Sequence, residues 1–164
     1  MVLKIILIIL IIRILLGTII PLFLFPNHHI IKTRLQSTKE IKKLANKLKK
    51  KTKQETLKNI FKFMITNYGK DNEITKRLKL FFFYPKLFCY NTNKQLSKKQ
   101  FLACHQQNNV LKTLLLNTNQ FKKQDIQDKT HIQPYLIVHQ YLLIKTNKGT
   151  YKVDPFFKIF KKIK

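Results

Sequence analysis

The chain contains no tryptophan, three glycines, five prolines and two cysteines among its 164 residues. So little Gly and Pro excludes a collagen-like chain and a flexible linker. Two cysteines cannot form a disulfide framework and allow one bridge at most. Cys104, His105, His131 and His139 are metal-ligand types, but no Cys-x-x-Cys or His-x-x-x-His spacing supports a metal site. The absence of a Gly-rich phosphate loop argues against nucleotide chemistry. Acidic residues are scarce as well: 7 Asp and Glu stand against 33 Lys and Arg, for a formal charge of +26.

Arginine occurs only at positions 13, 34 and 77, so nearly all of the positive charge is lysine. Lys, Ile, Asn and Phe abound while Ala stands only at 45 and 103, the bias of an AT-rich coding sequence. Such a bias raises Lys without selecting for a ligand. A positive field still attracts nucleic acid or anionic lipid. The few arginines and the lack of a basic–aromatic motif argue against nucleic acid as the main partner. Hydrophobic residues make up 45% with 13 Phe, which excludes a highly charged disordered chain. The length suits one compact domain with appendages.

Residues Ile5 to Phe25 form an apolar run interrupted only by Arg13, Gly17, Thr18 and Pro21. It is long enough to cross a hydrocarbon core of about 30 Å. Seventeen of its residues are Ile, Leu or Phe, each favouring insertion by about 0.3–0.6 kcal/mol. Arg13 opposes them by only about 2.5–3.5 kcal/mol. The run exceeds the usual apolar core of a signal peptide, and no small-residue cleavage site follows it. An uncleaved single span over residues 1–26 is therefore expected. More Lys and Arg follow the span than precede it, which puts the bulk of the chain on the cytoplasmic side.

Residues 27–53 read as a basic juxtamembrane segment, with His28 and His29 at the membrane boundary. Thr38 to Lys53 is a helix candidate with Ile41, Leu44 and Leu48 on one face. Such a segment either contacts anionic headgroups or serves as a solvated connector.

A folded domain is expected over residues 54–164. Leu57, Ile60, Phe61, Met64 and Tyr68 have amphipathic-helix spacing, closed by Gly69. Leu78 to Tyr90 is a dense aromatic segment. Ser97 to Gln100 has a capping-box pattern leading into a helix that ends near Asn117. A polar connection to His131 follows. Tyr135 to Thr146 and Thr150 to Phe157 then read as strands joined at Asn147-Lys148-Gly149. Helices followed by an antiparallel sheet make an α+β arrangement.

Cys104, His139 and Asp154 stand out chemically. Cys104 falls early in a helix, where the amino-terminal dipole favours thiolate. His139 lies in the first strand and Asp154 in the second. A loop at Thr146-Asn147 pairs 139 with 154 directly, and a loop at Asn147-Lys148 makes them diagonal neighbours on one face. In both registers the carboxylate can orient the imidazole, which can activate the thiol for covalent acyl transfer. An oxyanion would be met by the Cys104 N–H plus Gln95 or Gln100. Cys89 reads as a core residue, or as a partner of Cys104 in an oxidising compartment.

Ala103-Cys104-His105, His139-Gln140-Tyr141-Leu142-Leu143-Ile144 and Tyr151-Lys152-Val153-Asp154-Pro155 together resemble the transglutaminase-like superfamily, a branch of the papain-like cysteine-protease fold. That pattern has a Cys opening a helix, a His opening a motif such as H-x-W-x-E-V and an Asp in a motif ending V-D-P. Here 35 residues separate Cys104 from His139, and 15 separate His139 from Asp154. The resemblance covers roughly Gln54 to Phe157. It implies a cofactor-free thiol enzyme acting on peptide or amide bonds, with Cys104 as nucleophile, His139 as acid–base and Asp154 as orienter. The alternatives are a silent binding module on the same scaffold, or a basic membrane protein that contacts RNA or anionic lipid.

Overall fold

The computed structural model describes residues 2–14, 37–71, 75, 91–97, 102–133 and 137–164. In chain order these form helices α1 (Val2–Ile14), α2 (Lys39–Leu48), α3 (Lys53–Tyr68), α4 (Thr92–Ser97) and α5 (Cys104–Asn117), then strands β1 (Ile126–Gln133), β2 (Ile137–Thr146), β3 (Gly149–Asp154) and β4 (Ile159–Lys162). The strands form one sheet in the order β1-β2-β3-β4, so the chain is α+β with a four-stranded antiparallel sheet. It divides into two compact units, one of residues 1–33 and 130–139, the other of residues 34–129 and 140–164.

In the first unit α1 has 13 residues. At 1.5 Å per residue it is about 20 Å long. Among the described residues no helix is long and apolar enough to cross a membrane. Residues 15–25 of the apolar run, like His28, His29, Cys89 and Gln100, lie outside the described residues.

The second unit is built around α3 and α5. Thr52 and Glu55 close a reciprocal capping box at the start of α3, each side chain accepting the other's backbone N–H at 3.2 Å. Leu57, Ile60, Phe61, Met64 and Tyr68 line its buried face, and Gly69 caps its end. A Cβ at Gly69 would lie 2.6 Å from the Ile65 carbonyl, too close for any other residue. Tyr68 donates its hydroxyl to the Gln95 carbonyl at 3.0 Å, and burial pushes its pKa up to about 12.

Helix α2 belongs to this packing, which extends the core upstream of Gln54. Ile41 and Ala45 are fully buried, and Leu44 and Leu48 pack against the same cluster. Thr38 caps the helix by accepting the Ile41 N–H at 3.4 Å. Asn59 reaches from α3 to the Leu48 carbonyl at 2.8 Å, and the Lys50 N–H donates to Thr56 at 2.8 Å. The segment read as connector or headgroup-binder thus turns its apolar face into the core.

In the sheet, Leu142 pairs with Val153, Ile144 with Tyr151 and Thr146 with Gly149. The loop is therefore Asn147-Lys148. Gly149 has φ +124°, a region costly for residues with a Cβ, and a Cβ there would run into the Lys164 carbonyl. Strand alternation puts Leu142, Ile144, Tyr151 and Val153 on one face, and all four join the core with Val110, Leu111 and Leu114 of α5.

Two strands depart from the sequence expectation. β1 occupies the second half of what reads as a polar connection. β4 follows a turn in which Lys158 takes φ +58°, and Phe160 packs on Tyr151 and Phe61 with ring centroids 5.2 Å apart in each pair. The helix start also moves. Ser97 ends α4, its hydroxyl donating back to the Lys94 carbonyl at 3.2 Å, and the next helix begins at Cys104.

Asp125 ties the entry to β1 into the unit. It accepts the Lys122 N–H and the Lys53 ammonium, both at 2.9 Å, and these contacts hold its carboxyl below the usual carboxylate range. A depressed folded pKa contributes stability above the unfolded value of about 3.9, and that contribution is lost as pH falls through the folded value. Asp125→Asn should cost about 1 kcal/mol near neutrality. It should also flatten the acid limb of urea stability below about pH 4. An unchanged acid limb would show that Asp125 does not contribute to it.

Candidate active site

Cys104 occupies the first helical position of α5 and is buried. The residue before it, Ala103, has extended backbone (φ −68°, ψ 167°) and offers no capping side chain. The helix start is held instead by the polar residues after the cysteine. Gln106 accepts the Ala103 N–H at 3.1 Å, and the Gln107 amide donates to the Leu102 carbonyl at 2.9 Å. N–H groups of a first helical turn have no intrahelical acceptor, so this end of α5 favours negative charge on a nearby sulfur or oxygen.

Cys104 through Asn109 are all buried. Six consecutive residues exceed one helical turn, so this part of α5 is enclosed on every side. Enclosed amides must be bonded or they destabilise. Asn109 donates to Thr92 of α4 at 3.2 Å, and Asn108 donates to the Gln140 carbonyl of β2 at 2.8 Å. Asn108 lies one turn after Cys104, on the same helix face. It fastens the cysteine's helix to β2 at the residue following His139.

Nothing in the sequence alone distinguishes Asn108 from its polar neighbours. The signal was present as Cys-His-Gln-Gln-Asn-Asn opening a helix whose second half is apolar. Asn108→Leu should cost about 1–3 kcal/mol, because it leaves the buried Gln140 carbonyl without its donor. Urea midpoints of the two proteins measure this loss, and a change below about 0.5 kcal/mol would show the bond to be dispensable.

Asp154 is the last residue of β3 and is buried. Its Oδ1 accepts the Phe157 N–H at 3.2 Å, closing the turn into β4. Continuing the β2–β3 register by one step sets Tyr141 opposite Asp154. The Asn147-Lys148 loop is the second of the two that the sequence allows. The neighbouring Lys152 ammonium lies 4.3 Å from the Tyr141 ring centroid, a cation–π contact.

His139 is buried and belongs to the first unit, whereas Cys104 and Asp154 belong to the second. Within the first unit His139 meets His131 edge-on, ring centroids 5.3 Å apart. Gln95 is buried on α4, its own carbonyl engaged by Tyr68. The buried Oε1 of Gln107 and Oδ1 of Asn108 have no hydrogen-bond partner among the described residues. Both are acceptors and cannot serve an oxyanion. Among the described residues no three His, Cys, Asp or Glu side chains gather to hold a metal ion.

Compared with family models, with curated proteins and with solved structures, the chain matches none of them.

Proposed function

We propose that this chain is a membrane-anchored, transglutaminase-like thiol enzyme, with the Ile5–Phe25 run as anchor and Cys104, His139 and Asp154 as its triad. The observation that carries this reading is the Asn108–Gln140 hydrogen bond, which fastens the Cys104 helix to the strand bearing His139. The Asn147-Lys148 loop, one of the two that the triad allows, supports it further. The Cys104 thiol gives its proton to the His139 imidazole, and the sulfur attacks the carbonyl carbon of a peptide or side-chain amide, forming a C–S bond. The C–N bond then breaks, and the departing amine takes a proton from the His139 imidazolium. Asp154 orients that imidazole, and the Cys104 N–H helps to hold the developing oxyanion. Water releases the acyl group as acid, and an amine releases it as a new amide. The lysine distribution around the anchor puts the folded part on the cytoplasmic side.

A second reading has its own observation. The Leu142–Val153 face of the sheet shares a core with α5, whereas strand alternation turns Asp154, the residue after Val153, toward the other face. On that reading Cys104 is a buried packing residue and the scaffold binds a partner without reacting.

Acyl trapping separates the two. The full-length protein in detergent, incubated with a glutamine-containing peptide and acid-quenched, should carry a hydroxylamine-sensitive thioester on the Cys104 peptide. Cys104→Ala should carry none. Folded protein that never acquires the adduct with any amide or ester probe refutes the enzyme.

A further inference from the structure

We propose that the lysine face of α2 is a docking surface for an anionic lipid bilayer, holding the folded part flat against the membrane that its anchor enters. The inference rests on the anchor reading for its source of lipid and for the proximity of that lipid to the helix.

Seven of residues 39–51 are lysine, and Glu40 is the single acid among them. A lysine-rich helix in an AT-biased sequence says little until its orientation is known, and the fold supplies that. Ile41 and Ala45 are fully buried, with Leu44 and Leu48 packed beside them. Helical spacing then puts Lys39 and Lys43 opposite the buried stripe, with Lys42 and Lys47 flanking them, and all four are exposed. Three more exposed lysines follow at 49–51, where the chain is pinned by Lys50 and Leu48 to α3. Among the described residues none of these lysines has a carboxylate partner. The charge is therefore a fixed, outward-facing array on a rigid support.

Two consequences decide the kind of partner. The apolar face of α2 is spent on the core, so the helix cannot insert as an amphipathic wedge, and binding must be electrostatic. Thirteen residues separate the array from Phe25, the end of the apolar run. Fully extended, that tether reaches about 45 Å. A surface confined so close to headgroups binds them at high effective concentration, so weak per-lysine attraction suffices. Nucleic acid has no such enforced proximity, and the array contains no arginine or aromatic side chain to read it.

The test uses the full-length protein reconstituted in vesicles of phosphatidylcholine, with or without phosphatidylglycerol, and lysines labelled by an amine-reactive reagent. In anionic vesicles Lys39, Lys42, Lys43 and Lys47 should label about fivefold more slowly, relative to Lys161 and Lys162 of β4. About 1 M salt, which shortens the screening length to about 3 Å, should abolish the difference. The variant Lys42→Gln with Lys43→Gln should lose protection at Lys39 and Lys47. Equal labelling in both vesicle types overturns the proposal, as does protection conferred by added RNA and not by phosphatidylglycerol. Flotation with pure phosphatidylcholine reads the anchor separately. Protein that floats only with anionic vesicles would refute the anchor and leave the docking surface standing.

Discussion

Replacing His139 with alanine should slow iodoacetamide labelling of Cys104 about tenfold below pH 6, and the order of the two proteins should reverse above about pH 7.5. An unperturbed thiol of pKa about 8.5 is almost wholly protonated under the acidic conditions. A thiol paired with imidazolium at a helix start can have a pKa near about 6.5 and would then be about a hundredfold richer in thiolate at pH 5.5. A less basic thiolate is also a weaker nucleophile, by a Brønsted slope of about 0.4–0.5, which returns close to tenfold of that gain. The net advantage is about tenfold at low pH, and once both thiols are ionised it reverses to nearly tenfold in favour of His139→Ala, whose thiolate is the more basic. Burial of Cys104 lowers the absolute rate in either protein, so each is best compared with itself across pH. Asp154→Ala should slow labelling less, because the base remains. In native protein Cys104 should also outpace Cys89 near neutral pH. Parallel pH profiles for wild type and His139→Ala would mean that the thiol and imidazole do not interact, and the binding-module reading would replace the enzyme.

Removing residues 1–26 should transfer the protein from the alkaline-carbonate pellet to the supernatant almost completely. Val2 to Ile12 are each about half exposed or more. So much aliphatic surface is costly in water, and no polar face divides it. Residues 1–33 and 130–139 share one compact unit, so the deletion could also disturb the strand segment bearing His139. Ile8→Asp combined with Ile12→Asp keeps the chain length and adds about 5–7 kcal/mol against insertion. It should release the protein to the same extent. Retention of both variants in the carbonate pellet would refute the spanning role of this run.

Several elements were legible because their signal lies within their own residues. The helix from Leu57 to Tyr68 shows its buried stripe in its spacing, and Gly69 marks its end. The β2–β3 hairpin shows apolar runs on both sides of a turn, and Gly149 supplies the positive φ the turn requires. The helix that carries Cys104 and ends at Asn117, though not its start, and the sequence separations of the three candidate residues were also readable. Those features come from the periods of helix and strand, which a chain carries whatever it packs against.

Other features depended on partners distant in sequence. β1 reads Ile-Gln-Asp-Lys-Thr-His-Ile-Gln, too polar to declare itself, and is a strand because β2 offers it an edge. β4 is four residues long and pairs with β3 through Val153 and Phe160. The burial of Ile41 and Ala45 exists because α3 and α5 provide a surface for them, which α2's own pattern leaves open between protein and lipid. The choice between two hairpin registers was settled by the pairing of Thr146 with Gly149. Asn108 is an ordinary helix residue until the Gln140 carbonyl lies 2.8 Å from its amide. In each case the sequence determined which faces could be buried, and only tertiary packing decided what covered them, because burial energy belongs to a pair of surfaces and not to either one alone.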